Sequence, residues 1–103
     1  MDLNVLSTEF VKVRVNATKL GVTYNPTGDV VYLAFKLVGD TPDSGDWVAG
    51  TWETTPTAYL ARAVVGPMGD ITLGSGEYVV WVKITDDPEV PVLQAGALSV
   101  YTT

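Results

Sequence analysis

The sequence predicts an all-β domain, a sandwich or small barrel of about seven strands, and three observations predict it. Apolar and polar residues alternate at period two in several segments, glycine- and proline-rich turns separate them, and no segment requires a helix. At 103 residues the chain makes one domain, residues 1–103, of which residues 1–8 precede the first clean alternation and read as an arm or a loose tail. An arm of that kind can add to the sheet edge of another subunit. A chain of this size buries roughly 60 to 70 per cent of the surface its unfolded form exposes, and a hydrophobic fraction of 47% supplies the material for a core.

In "EFVKVRVN", Val11, Val13 and Val15 fall on one side and Lys12, Arg14 and Asn16 on the other, which is a half-buried strand. "NPTGD" is a turn, because Pro26 presets its own φ and Gly28 tolerates a positive one. It leads into "VVYLAFKLV", where Val31, Leu33, Phe35 and Leu37 alternate with Tyr32, Ala34 and Lys36. "GDTPDSGD" has no period and is a loop. After it come "WVAGTWET" and "TAYLARAVV". The second of these contains good helix formers, yet Pro56 and Gly66-Pro67 bound a segment too short for an isolated helix, so it reads as a strand. "GPMGD" turns the chain, "ITL" is a short extended piece and "GSG" a tight bend. "EYVVWVKI" then places Tyr78, Val80, Val82 and Ile84 on one face and Glu77, Val79, Trp81 and Lys83 on the other. "ALSVYT" is the last strand.

Composition removes whole classes of chemistry. Without cysteine there are neither disulfides nor thiolate metal sites, and without histidine there is no Ser-His-Asp or Cys-His arrangement. Twelve acidic residues against six basic ones give a net charge of -6, and the cations are scattered at Lys12, Arg14, Lys19, Lys36, Arg62 and Lys83. Direct nucleic-acid binding is not expected of such a surface. Nor is a membrane partner, for no apolar run approaches the roughly 18 to 20 residues of a bilayer span and the first residues do not resemble a secretory signal.

Four groups of residues invite a functional reading. Gly76 and Tyr78 have the spacing of a tyrosine corner, in which a tyrosine near the start of the penultimate strand of an immunoglobulin-like sandwich bonds back to the preceding corner. Asp86, Asp87 and Glu89 form an acidic loop, but "DDPEVP" lacks the alternate spacing and glycine of a calcium loop, and Pro88 and Pro91 make it a rigid end to a strand. Its tip is expected to face solvent or a basic patch on a neighbour. Asp40, Asp43 and Asp46 read as turn aspartates that bond their own backbone. Neither group implies a metal, a cofactor or an enzyme. Of the three tryptophans, Trp52 is expected in the core, whereas Trp81, with Val79, belongs to the outer sheet face, either as second-layer packing or as an interface residue.

The order "STEFVKV", "PTGDVVYLAF", "SGDWVAGTWET", "YLARAVVGPMGDITLGSGEYVVWVKITDDPEVPV" and "AGALSV" resembles a family of small virion structural proteins of tailed phages of actinobacteria. The resemblance covers nearly the whole chain from about residue 7, and the block from Val65 to Val92 is its most particular part. It implies an immunoglobulin-like antiparallel β-sandwich that is built into the particle. The implied role is a capsid decoration or minor capsid protein, assembled in the host cytoplasm onto the capsid surface. Its partners would be the major capsid protein or other virion proteins, with self-association on the particle. A head-tail connector, a tail or baseplate component and a host-glycan adhesion module are the other placements. The resemblance brings no catalytic or ligand-binding residue with it.

Overall fold

A computed structural model describes residues 1–16, 18–19, 22–23, 25–85, 90 and 92–102, with the backbone alone at 18–19 and 22–23. The chain is an immunoglobulin-like β-sandwich. Its strands are β1 (Asp2–Asn4), β2 (Glu9–Val15), β3 (Thr18–Lys19), β4 (Val22–Thr23), β5 (Val30–Leu37), β6 (Val48–Ala49), β7 (Thr51–Thr54), β8 (Tyr59–Val65), β9 (Gly76–Thr85) and β10 (Val92–Tyr101). Five of them form one sheet in the order β1-β10-β9-β5-β6, three form the facing sheet in the order β2-β8-β7, and β3 pairs antiparallel with β4 in a small separate sheet.

The period-two pattern decides the core. Val11, Val13 and Val15 of β2 and Ala61, Ala63 and Val65 of β8 meet Val31, Leu33 and Phe35 of β5, Val80, Val82 and Ile84 of β9, and Leu98 and Val100 of β10. The three-stranded sheet offers small side chains and the five-stranded sheet larger ones, so the layers interdigitate with no buried polar side chain among the described residues. Segment 59–65, where propensity allowed a helix, is β8, paired over its length with β2 in the register Val11↔Ala63 and Val13↔Ala61.

Four local readings are refined. "WVAGTWET" is two strands in different sheets: the chain crosses at Gly50, where a Cβ would collide with the Leu33 side chain and stand 3.0 Å from the Arg62 carbonyl. "ITL" contributes only a single parallel bridge, Val65↔Ile71. The "NPTG" turn is one turn of 3-10 helix, capped by the Asn25 side chain, which accepts from the Thr27 N–H. Residues 2–4 of the expected arm or tail add to their own sheet, as β1 running parallel to β10 with Leu3 opposite Val100 and buried.

Candidate functional site: the outer face of the five-stranded sheet

Along β9 burial alternates, with Val80, Val82 and Ile84 buried and Val79, Trp81 and Lys83 half-buried. Trp81 and Val79 therefore stand on the outer face, away from the core. Trp81 lies between Ala34 of β5 and Gln94 of β10, and Ala34, though it points outward, is fully covered. Bulky neighbours on that face must cover it, and the nearest in register is Trp81.

Two residues of the β5–β6 loop are laid onto the same face. The Lys83 ammonium sits 4.6 Å from the Trp47 ring centroid and 5.0 Å from that of Tyr32, its partner in the β5–β9 register. A lysine held between two rings gains cation–π attraction and keeps both aromatics in place. Asp46, immediately before Trp47, pairs with Lys36 at 3.3 Å. Tyr32 and Trp47, joined through Lys83, thus share the outer sheet face with Trp81, and Lys36 and Asp46 lie on the same face. The Trp81 indole N–H is shielded and has no acceptor among the described residues. Such a group costs about 1–3 kcal/mol, so the indole is not the side chain that folding alone would favour there.

The aspartate loop is organised by its own hydrogen bonds. Asp43 N–H donates to the Asp46 carboxylate at 2.7 Å, and Asp46 N–H donates to the Asp43 carbonyl at 3.0 Å. The Asp43 backbone bond, then Lys36, hold the Asp46 carboxyl below its ordinary value. A depressed native-state value stabilises the fold above the usual carboxylate range and loses that contribution as pH falls through the lowered value. In urea titrations, Asp46→Asn is expected to be less stable than the parent at neutral pH, and the gap should close in acid below the usual carboxylate range. A gap of constant size at every pH would show that the charge contributes nothing. Among the described residues no three acidic groups converge as a metal site would require.

Tyr78, partly buried against the core, donates its hydroxyl to the Gly74 carbonyl at 2.9 Å, closing the bend that leads into β9. Gly76, between them, has φ 155°. Tyr78→Phe removes one hydrogen bond and is expected to cost about 1 kcal/mol, or roughly 4–8 °C in Tm. An unchanged melting temperature would deny the bond any structural role. Trp52 packs on the edge of the core, and its indole N–H donates to the Asp29 carbonyl at 2.9 Å. Asp86, Asp87 and Glu89 lie outside the described residues.

Alternation placed Val79 and Trp81 on this face, but Tyr32, Trp47 and the Lys83 contact were not read from the sequence. Tyr32 and Lys83 carried a signal, since both alternate outward. Trp47 carried none, because loop residues have no period. No protein family, curated protein or solved structure matches this chain.

Proposed function

We propose that this chain is a non-enzymatic virion structural protein, most simply a capsid decoration or minor capsid protein that docks on the shell through the outer face of its five-stranded sheet. The observation that carries the docking reading is the set of aromatics Tyr32, Trp47 and Trp81 on the outer sheet face, with Tyr32 and Trp47 pinned by Lys83. Aromatic residues in such a setting dominate the energetics of protein interfaces. The virion context comes from the family resemblance of the sequence. Many identical copies on symmetry-related sites would each bury area against the shell and resist its disassembly by binding only the assembled state. Placement as a head-tail connector or tail component uses the same face with fewer copies.

Quantitative mass spectrometry of purified particles tests this. A copy number comparable to that of the major capsid protein supports decoration, a ring-scale number moves the chain to the neck or tail, and absence from the particle overturns the virion reading.

A further inference from the structure

The second sheet has an open side. β2 is the terminal strand of the order β2-β8-β7, so one line of its backbone N–H and C=O groups faces away from β8 with no strand beyond it among the described residues. Backbone polar groups along a strand edge are a template for another strand. At the same edge the two sheets are not sealed. A cavity of about 230 Å³ opens between β1 and β2, lined by Met1, Asp2, Leu3, Glu9, Phe10, Val11 and Leu98, so that two carboxylates stand at its rim and an apolar side chain suits the opening itself. That is below the roughly 300 Å³ where small-molecule pockets begin, and it suits the entry of single side chains from a strand laid alongside. Leu3, Val11 and Leu98 are core residues, while Met1 and Phe10 flank the opening about half exposed.

The outward side chains define what would fit. Lys12 lies directly opposite Arg62 in the β2–β8 register, a like-charged pair that is unfavourable by itself. One carboxylate serves both: Glu53 lies 3.1 Å from Lys12 and 3.3 Å from Arg62. Arg14, two residues along β2, donates to the Thr57 carbonyl at 3.2 Å. Three of the six cations of a chain with net charge -6 therefore stand on this small face, where Glu53 is the carboxylate that the described residues pair with Lys12 and Arg62. A second β2 paired edge to edge would bring like charges together, so the charges disfavour a copy of this chain as the occupant and favour an acidic strand.

We propose that the free edge of β2 is an acceptor for an extended segment of a partner protein in which apolar residues alternate with Asp or Glu. Its backbone pairs with Glu9–Val13, its apolar residues continue the row of Val11 and Val13 and enter the seam beside Leu3, and its carboxylates face Lys12 and Arg14. Main-chain pairing supplies affinity and the alternating side chains supply selectivity. This surface is separate from the aromatic face of the other sheet, so either can fail alone.

The test uses the whole chain and two capped synthetic nonapeptides, with valine at every second position and either glutamate or lysine between. Amide shifts and hydrogen exchange are followed by NMR, which detects weak binding. The glutamate peptide should shift and protect β2 amides and bind at least tenfold more tightly than the lysine peptide, and the double variant K12E/R14E should reverse that order. If the double variant lacks a folded spectrum, R14E alone should narrow the preference. Absence of binding, equal binding of both peptides, a preference that survives charge reversal, or shifts confined to other strands would each overturn the proposal. So would concentration-dependent dimerisation through β2 without peptide, which would give the edge to a second copy.

Discussion

Replacing Gly66 with alanine is expected to destabilise the domain by about 3 kcal/mol or more, seen as a fall of roughly 12 °C or more in Tm. Gly66 ends β8 with φ 134°, a conformation that side-chain-bearing residues adopt only under strain. Space adds to the cost. A Cβ would collide with the Ser7 carbonyl and stand 2.7 Å from the Thr8 Cα, both backbone atoms of the β1–β2 connection. That connection cannot easily retreat: Ser7 N–H donates to the Asn4 carbonyl at 2.8 Å, and the Thr8 hydroxyl donates to the Pro67 carbonyl at 2.8 Å. Gly66 is itself tied by its N–H to the Ile71 carbonyl at 2.9 Å. Relief would have to push β1 and β2 away from the turn. Gly74→Ala is the control. Nothing lies within 4 Å of a Cβ there, so a change of less than about 1 kcal/mol is expected. Equal and small effects at both glycines would mean that the turn does not approach Ser7 and Thr8 this closely.

The contrast between these glycines shows what the sequence could reveal. Strands whose alternation runs for seven residues or more, such as β2, β5 and β9, are legible because one face of each is buried over most of its length, Leu37 at the end of β5 being exposed where alternation pointed it inward. The direction of Trp81 was legible for the same reason. β8 carried conflicting signals, helix-forming residues inside strand-like boundaries, and tertiary pairing with β2 on one side and β7 on the other decided it. β1 was not legible. Three residues carry no period, and their partners Ser99, Val100 and Tyr101 lie at the far end of the chain. The sheet change at Gly50 was hidden too, since glycine inside an alternating run marks a close backbone approach without naming the neighbour. The aromatic face was legible in part, because the strands supplied Tyr32, Lys83 and Trp81 while Trp47 arrives from an aperiodic loop by a long-range contact. The open edge of β2 is likewise a property of sheet order, which alternation cannot encode.

On the proposed docking, replacing Trp81 with alanine is expected to weaken binding to the particle by about 2 kcal/mol or more, roughly thirtyfold in Kd, and to affect folding less. The ring stands on the outer face, so its truncation leaves no cavity among Val80, Val82 and Leu33; the loss to folding is the cover over Ala34. That cover is lateral packing on a sheet surface, and the alanine variant should keep a cooperative unfolding transition. Trp81→Phe sharpens the comparison. It retains an aromatic ring and deletes an indole N–H that is shielded and without an acceptor among the described residues, so the isolated domain should be as stable as the parent or more so. If folding were the reason for a tryptophan here, phenylalanine would serve it at least as well. Binding of both variants to particles stripped of the native protein, alongside urea melts of the free domains, separates the two roles. Alanine should cost far more in binding than in melting, with phenylalanine intermediate in binding and neutral in melting. An alanine variant that unfolds would return Trp81 to the structural framework, and one that docks with native affinity would move the interface off this face.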